Sequence, residues 1–237
     1  MPMLESIDLS KVLVLDIETV PQYNAYDSMP EKWQHLWDKK AQFLKKEEHD
    51  SSQSIYPRAG IYAEFGKIIC ISVGAFNGRQ FRVKSFYGDD EKILLQEFTH
   101  LLSRNYNYPD HLLCGHNAKE FDFPYLCRRL LINNLDIPVA LNIVGKKPWE
   151  VQHLDTMDLW KFGDFKNFTS LELLASVFDI PTPKDDIDGS MVWSVYWNEK
   201  DLERIKNYCQ KDVVTVAQLL LRFRGEKLLT DTDVVFV

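Results

Sequence analysis

The sequence has few cysteines, and their spacing gives them no obvious structural role. Its four cysteines, Cys70, Cys114, Cys127 and Cys209, are scattered along the chain and form no C-x-x-C pair. This distribution argues against a zinc site and against a disulfide framework. Three of the four lie in apolar surroundings, which is typical of buried thiols. A cytoplasmic location is therefore the expected one.

Long apolar runs are missing as well. No apolar stretch approaches the roughly 20 residues that a membrane-spanning helix needs. The N-terminus, MPMLESIDLSK, has no basic region followed by an apolar core, so it does not resemble a secretory signal. We therefore expect no membrane partner.

Two glycine-rich phosphate-binding motifs are also absent. G-x-G-x-x-G does not follow the first predicted strand, and G-x-x-x-x-G-K-[ST] occurs nowhere in the sequence. Dinucleotide-binding and P-loop functions therefore lose their main support. The formal net charge of −7 argues against strong non-specific binding of duplex nucleic acid. An acidic chain can still act on nucleic acid when its acidic groups are metal ligands and its basic groups are local.

What the sequence does contain is enough apolar residues for a sizeable core. A length of 237 residues with 45% hydrophobic residues fits one large α/β domain or two small ones. The patterns predict strands at residues 11–18, 67–76, 80–86, 111–115 and 151–155, and helices at 30–46, 89–102, 123–132, 170–178 and 201–223. Residues 22–64 are predicted to be a helical insertion between the first two strands. This order predicts an α/β fold with a mixed sheet, in which an antiparallel three-strand meander and parallel strands are flanked by helices.

The first predicted strand, KVLVLDIE, ends in two carboxylates. Because alternate residues of a strand point to the same side, Asp16 and Glu18 project together while Ile17 faces away. Like charges on one face repel each other unless a positive group lies between them. Mg²⁺ and Mn²⁺ take oxygen ligands of this kind, so the pair is a candidate metal site. The alternative is a solvated loop that begins at the end of the strand.

A second acidic stretch, CGHNAKEFD, follows the fourth predicted strand. Asp122 opens the next helix, where negative charge is stabilised, so it is either a metal ligand or only a helix cap. His116 and Asn117 are either site residues or polar core groups that bond to the backbone. Phe121 is either a stacking platform or part of the core.

A third acidic stretch, YCQKD, lies in the last predicted helix. Tyr208 and Asp212 are four residues apart and therefore lie on one helix face. Asp212 is beside an apolar stripe, where an unpaired carboxylate would be costly to bury. A metal ion would remove that cost. The alternative is a hydrogen bond between Tyr208 and Asp212 at the edge of the core.

The order of these three motifs resembles the DEDD superfamily of 3′–5′ exonucleases, which have a ribonuclease H-like fold. Tyr208, four residues before the last aspartate, places the resemblance in the DEDDy subgroup; the histidine subgroup would need histidine at position 207, where this chain has asparagine. The chain is similar to stand-alone bacterial proteins related to the exonuclease domain of family B DNA polymerases. The resemblance covers about residues 10–225. It implies that residues 1–237 form a single exonuclease domain, with 22–64 outside the common core.

The resemblance implies that Asp16, Glu18, Asp122 and Asp212 bind two divalent cations, Mg²⁺ or Mn²⁺. One ion would activate a water molecule as the attacking hydroxide, and the other would stabilise the leaving 3′ oxygen. Tyr208 would orient that water; its ordinary pKa near 10 favours positioning over general-base action. The product would be a nucleoside 5′-monophosphate.

The resemblance also implies where nucleic acid binds. A single-stranded 3′ end would contact the backbone of Thr19 and Val20 and the side chains of His116, Asn117 and Phe121. DNA is favoured over RNA as the substrate.

Three residues of the insertion are candidates for contacts with upstream nucleotides. Tyr56, Arg58 and Tyr62 could stack or pair with them, although core packing is expected for at least one of the two tyrosines. The insertion is also a candidate site for a protein partner.

Other polar residues near the motifs have alternative roles. Asp155 and Asp158 are expected to be structural or to support the metal ligands from behind. Lys184 could reach a phosphate, but a solvated loop lysine is the preferred interpretation.

Alternative functions remain open at this point. A 3′–5′ exoribonuclease would use the same residues. A non-catalytic ribonuclease H-like module would only bind nucleic acid or a protein, but a broken acidic set is then expected, and here the set is complete. A small-molecule phosphatase is a weaker alternative, because it would not need stacking groups near the site.

Overall fold

The computed structural model describes residues 2–47, 49–164, 166–181 and 187–237. Lys184 lies outside these ranges. Within them the strands are β1 Val12–Pro21, β2 Gly66–Asn77, β3 Gln80–Tyr87, β4 Leu112–Gly115, β5 Leu154–Asp155 and β6 Val234–Phe236. The α-helices are α1 Pro2–Glu5, α2 Glu31–Ala41, α3 Glu91–Asn105, α4 Asp122–Ile132, α5 Thr156–Lys161, α6 Leu171–Val177, α7 Val192–Ser194 and α8 Leu202–Phe223, and a π-helical turn, Val195–Glu199, follows α7.

The strands form one mixed sheet in the order β5-β4-β1-β2-β3-β6. β1, β2 and β3 are an antiparallel meander, whereas β4 pairs in parallel with β1 and β5 pairs in parallel with β4. This arrangement, with helices against the sheet, confirms the predicted α/β, ribonuclease H-like fold. In the described ranges, no helix is both long and apolar enough to cross a membrane.

The two faces of β1 pack against different helices. Leu13, Leu15 and Ile17 point into a core formed with α3 and α4. Val12 and Val14 point the other way, into a core formed with α8. This alternation is what a strand buried on both faces requires. The polar residues that follow on the α8 face are therefore held between the sheet and the longest helix.

The segment between β1 and β2 has an aromatic core of its own. Trp37 and Ala41 of α2 are fully buried there together with Tyr56, which lies in a 3-10 helix at Tyr56–Ile61. The rings of Trp37 and Tyr56 meet edge to face, with centroids 5.6 Å apart. This 3-10 helix packs against the end of β1, because a Cβ atom at Gly60 would lie 3.0 Å from the backbone of Val20.

The prediction of a helix at 30–46 was wrong at its C-terminal end. α2 stops at Ala41, and the amide of Leu44 bonds the carbonyl of Ala41 at 2.9 Å in a tighter turn. That turn brings Leu44 against the aromatic core. Phe43, which the prediction placed within the helix, is 85% exposed as a result.

One predicted strand is shorter than expected, and one strand forms where no prediction was made. The predicted strand at 151–155 is only two residues long, because the ring Nδ1 of His153 accepts the amide hydrogen of Leu113 at 3.1 Å, a donor that a longer strand would pair with backbone. The C-terminal tail, which carried no pattern, forms β6 and pairs in parallel with β3.

Candidate active site

Asp16 and Glu18 lie on the α8 face of β1, as their alternation predicted. Across the antiparallel ladder, Asp16 is opposite Ser72 and Glu18 is opposite Cys70. A register shift follows at once, between Glu18 and Thr19. Such an irregularity bends a strand and re-aims its side chains. Glu18 is only 7% exposed, so its carboxylate is in a largely desolvated position.

Asp122 is the first residue of α4, which begins where the chain returns from β4. Its carboxylate accepts hydrogen bonds from its own amide and from the amide of Ile17, and both bonds lower its pKa. Burial is the stronger influence and raises the pKa of Asp122 to about 7. The bond to Ile17 joins α4 directly to the strand between Asp16 and Glu18, so three carboxylates converge at the end of β1.

α8 supplies the remaining predicted residues, Tyr208 and Asp212, which are hydrogen-bonded to each other. The pKa of Tyr208 is raised well above its usual value by burial first, and then by the negative charges of Asp212, Glu18 and Asp16. The phenol therefore stays protonated at neutral pH. Its hydroxyl can donate or accept hydrogen bonds but cannot act as a strong base there.

The carboxylates are close enough to raise one another's pKa. For Asp16, burial has the largest effect and the charges of Asp122 and Asp212 follow. For Glu18, burial is again the largest effect, followed by the charges of Asp16 and Asp212. The structure thus brings together all four acidic residues that the sequence singled out. We refer to Asp16, Glu18, Asp122 and Asp212 as the acidic cluster.

Cys209 completes the inner wall of the acidic cluster and was not singled out from the sequence. Its thiol is 3.3 Å from Oδ2 of Asp16 and 3.5 Å from the Asp16 carbonyl oxygen. One carboxylate oxygen each of Asp16 and Glu18 lies with this sulfur in a group whose members are all within 4.8 Å of one another. Burial raises the pKa of Cys209 well above its usual value, so it donates a hydrogen bond as a thiol. Its position one residue after Tyr208 was the only signal in the sequence.

The donor set fits divalent cations with a preference for oxygen. Clustered, desolvated carboxylates are stable in the ionised form only when positive charge lies among them. Mg²⁺ and Mn²⁺ accept such ligands and leave positions for water and substrate oxygens. The acidic cluster is therefore a candidate metal centre on the chemistry and burial of its own residues.

Asp155 holds the loop that leads from β4 to Asp122. Its carboxylate accepts the amide hydrogens of Asn117 at 2.9 Å and Lys119 at 3.0 Å, and it also caps α5 through Met157 at 3.0 Å. Asn117 has a left-handed backbone with φ of 62°, which these bonds stabilise. Asp155 therefore has the structural role predicted for it. Its charge also contributes to the raised pKa of Asp122.

His116 and Asn117, adjacent in the chain, have different surroundings. The ring nitrogens of His116 lie 2.9 Å from the Thr156 hydroxyl and 2.8 Å from the Thr169 carbonyl oxygen, so both are used within the protein. Burial lowers the pKa of His116. In contrast, the side-chain oxygen of Asn117 is buried and meets no hydrogen-bond donor among the described residues. A buried acceptor of this kind fits a ligand that carries a donor.

Thr19, Val20 and Phe121 have different surroundings. The Val20 side chain is fully buried and packs in the apolar core with Ile69 and Val195. The Thr19 hydroxyl bonds Tyr125 on α4, whose own hydroxyl donates to the Gly60 carbonyl at 2.7 Å. The Phe121 ring is half-buried against the Tyr125 ring, with centroids 5.4 Å apart.

The candidates for upstream contacts divide into buried and accessible residues. Tyr56 is 1% exposed and belongs to the aromatic core of the insertion, which leaves it no face for a nucleotide. Tyr62 is half-buried, and the Lys40 ammonium lies 4.3 Å above its ring. Arg58 is exposed.

Asp158, near the loop after β4, forms an ion pair with Lys161 at 3.1 Å.

Comparison with known proteins relates this chain to a family of predicted exonucleases. Residues 61–232 match the family described as a predicted 3′–5′ exonuclease related to the exonuclease domain of PolB. A DNA polymerase of Archaeoglobus fulgidus is 26% identical over 134 residues, which cover 53% of this chain and 16% of the polymerase. The family B DNA polymerase of the hyperthermophilic archaeon Pyrobaculum calidifontis has a similar structure over 89% of this chain and 24% of its own, with 18% identity and a TM-score of 0.49. This chain thus corresponds to less than a quarter of either polymerase.

Proposed function

Because the chain belongs to the family of exonucleases related to the exonuclease domain of PolB, we propose that it removes nucleoside 5′-monophosphates from the 3′ end of single-stranded DNA. Residues 1–237 act as one exonuclease domain, and 22–64 are an insertion in it. The observation that carries this proposal is the acidic cluster of four carboxylates from three elements, in which burial and neighbouring negative charges raise the pKa of Asp16, Glu18 and Asp122. The family relation to polymerase exonuclease domains supports DNA as the polymer.

The acidic cluster is proposed to hold two divalent cations, Mg²⁺ or Mn²⁺. When bound, two such ions supply the charge that activates the attacking water and stabilises the leaving 3′ oxygen. Asp16 and Glu18 provide ligands from β1, Asp122 from the start of α4 and Asp212 from α8. The charge of the ions also offsets the mutual repulsion of these buried carboxylates.

Tyr208 is proposed to position the attacking water. Its hydroxyl is hydrogen-bonded to Asp212, which fixes the direction of the phenol. Since its raised pKa keeps the proton on the oxygen, Tyr208 orients a water molecule and does not remove its proton. Cys209 supports the site from the inner side, because its thiol holds Asp16 in place.

The terminal nucleotide is proposed to lie between β1 and the loop after β4. There the buried side-chain oxygen of Asn117 can accept a hydrogen bond from the nucleotide. The backbone of Thr19 and Val20 and the ring of Phe121 form the remaining walls. His116 contributes by fixing the loop, since both of its ring nitrogens contact protein groups.

The test is cleavage of DNA and RNA of the same sequence, labelled at the 5′ end, with Mg²⁺, with Mn²⁺ or with EDTA. The wild-type protein is expected to shorten the DNA from its 3′ end into a ladder, to release mononucleotides, and to stop in EDTA. Asp16→Asn removes one cluster charge at constant shape and is expected to abolish the ladder. The control is Asp110→Asn, which changes an exposed aspartate that pairs with Lys11.

Each outcome has a distinct meaning. No cleavage of either polymer with any metal, by correctly folded protein, contradicts the proposal. Cleavage confined to RNA keeps the mechanism and replaces the substrate with the 3′–5′ exoribonuclease alternative. Equal activity of Asp16→Asn and wild type shows that the nuclease activity comes from a contaminant or from another site.

A further inference from the structure

The outer face of α2 carries positive charge in a chain that is acidic as a whole. Residues 32–46 contain five lysines and one acidic residue, whereas the entire chain has a net charge of −7. This stretch lies outside residues 61–232, which match the exonuclease family. The family relation therefore assigns it no role.

The helix separates its buried and exposed residues sharply. Lys32, Leu36 and Lys39 are spaced by four and three residues, so they lie along one face. All three are exposed, whereas Trp37 and Ala41 on the opposite face are fully buried in the aromatic core. The outer face is therefore not needed for packing within the described chain.

The turn after α2 extends this face. Phe43 is 85% exposed, and Lys45 and Lys46 beside it are exposed as well. In the ranges that the structure describes, neither these two lysines nor Lys32 and Lys39 take part in an ion pair. Lysines combined with an exposed aromatic ring, with no acidic partner, complement a polyanion with stackable bases.

The helix is connected to the acidic cluster through a short series of packed groups. Tyr125 lies one turn after Asp122 on α4 and donates a hydrogen bond to Gly60 at 2.7 Å. Gly60 is in the 3-10 helix whose Tyr56 ring packs on Trp37. The 3-10 helix Tyr56–Ile61 contacts the end of β1, and α2 packs on the other side of it. The outer face of α2 is therefore one helix diameter, about 10 Å, farther from β1 than this 3-10 helix.

We propose that Lys32, Leu36, Lys39, Phe43 and Lys46, which we name the α2 basic face, bind single-stranded nucleic acid upstream of the 3′ end. The inference rests on the proposed function and extends it, because it assigns the insertion to the substrate. The lysines contact phosphates and Phe43 stacks on a base. Long strands then bind more tightly than short ones, and their binding depends more on salt.

The test compares Lys32→Glu/Lys39→Glu/Lys46→Glu with a matched variant, Arg82→Glu/Lys84→Glu/Lys227→Glu, which reverses three exposed charges on β3 and near the C-terminus. Binding of a fluorescent oligonucleotide of about 25 nucleotides is measured by anisotropy in EDTA, over a range of salt concentrations. We expect binding about tenfold or more weaker for the α2 variant alone, and a salt slope lower by about 2. Phe43→Ala is expected to weaken binding severalfold without changing the slope.

Cleavage separates this inference from the proposed function. The ratio of kcat/KM for the long oligonucleotide to kcat/KM for a trinucleotide should fall about tenfold in the α2 variant and stay constant in the control. If the α2 variant and the wild type bind the long oligonucleotide equally, the inference is wrong, whether or not the protein cleaves it; a protein partner is then the remaining candidate for this face. If binding follows the expectation but cleavage fails, the proposed function alone is overturned.

Discussion

The ion pair between Glu91 and Arg129 and the acidic cluster bury charge to a similar depth. Glu91 and Arg129 are 7% and 3% exposed, and Glu18 and Asp122 are 7% and 4% exposed. Glu91 accepts hydrogen bonds from Arg129 Nε at 2.8 Å, from the amide of Ile68 at 2.7 Å and from Asn133 at 2.9 Å. Arg129 also donates to the Ala63 carbonyl at 2.7 Å. Every charged group in this network has a partner of opposite sign.

The acidic cluster is organised in the opposite way. Asp122 accepts two amide hydrogen bonds and Asp16 accepts one from the Cys209 thiol, but the neighbouring charges that raise the pKa of Asp16, Glu18 and Asp122 are negative. The ion pair between Glu91 and Arg129, with its hydrogen bonds, joins α3, α4 and the start of β2. We propose that the carboxylates of the acidic cluster instead serve as a ligand set for cations. The comparison predicts that removing a charge destabilises the fold at the Glu91–Arg129 ion pair but not at the acidic cluster.

The largest expected effect is on activity at the acidic cluster. Asp122→Asn keeps the shape of the side chain but removes one proposed metal ligand, so kcat should fall on the order of 10³-fold. In metal-free buffer at pH 8 its melting temperature should equal or exceed that of the wild type, because a repelled carboxylate is gone. Single-turnover cleavage and thermal unfolding measure the two quantities. A variant that is both active and destabilised would place Asp122 among the structural charges.

Next in size is the cost of breaking the ion pair. Arg129→Met leaves Glu91 buried without its partner, and the free energy of unfolding should fall by about 3–5 kcal/mol in urea titrations. Adding Glu91→Gln to this variant should restore part of the loss. Cleavage per folded molecule is expected to stay close to wild type. A loss of activity greater than the loss of folded protein would contradict a purely structural role.

The dependence of stability on pH should reveal the acidic cluster without any assay of activity. The pKa of Asp122 rises from 3.8 to about 7 on folding, and those of Asp16 and Glu18 rise as well. Between these values the folded protein binds more protons than the unfolded chain, so metal-free stability falls as pH rises from about 4 to about 7. The loss is expected to be on the order of a few kcal/mol.

Divalent cations should cancel this loss. The increase in melting temperature on adding Mn²⁺ should be larger at pH 8 than at pH 5, because protonated carboxyls are poor ligands. In Asp122→Asn, both the metal-free stability and the increase in melting temperature on adding Mn²⁺ should depend less on pH. An equal increase at the two pH values would mean that the ion binds somewhere else.

The smallest expected effect concerns the thiol beside Asp16. Cys209→Ala removes the hydrogen bond to Asp16 Oδ2 and should lower kcat less than tenfold, with a smaller change for Cys209→Ser, which keeps a donor. The control is Cys127→Ala, because the Cys127 thiol donates to the Leu141 carbonyl, outside the acidic cluster. If both alanine variants lose activity equally, the loss comes from folding and not from the position of Asp16.

Much of the sheet could be predicted because it follows local periodicity, whereas the convergence of the four carboxylates was predicted from the resemblance to DEDD exonucleases. Alternation in β1 places Asp16 and Glu18 on one face, and helical spacing places Tyr208 beside Asp212. The interactions between distant residues could not be read in this way. Glu91 and Arg129 are 38 positions apart and carry no motif.

Failures of prediction also came from side chains that replace backbone interactions. His153 takes the amide hydrogen that would have extended β5, and the chain leaves α2 early so that Leu44 reaches the aromatic core. In each case, the contact of one side chain outweighs the preference of the local sequence for a longer strand or helix.

The insertion starts and ends at adjacent positions of the sheet. Pro21 is opposite Gly66 in the ladder, and the amide of Gln22 bonds the Phe65 carbonyl at 2.9 Å. Seen from the sheet, the whole segment is therefore one long hairpin loop whose ends stay fixed whatever lies between them. Its outer part, residues 23–54, contributes Trp37 and Ala41 to the aromatic core, while residues 55–65 contact β1 and α4. If the insertion binds the strand as proposed, changes to the exposed side chains of α2 should alter binding without moving the acidic cluster.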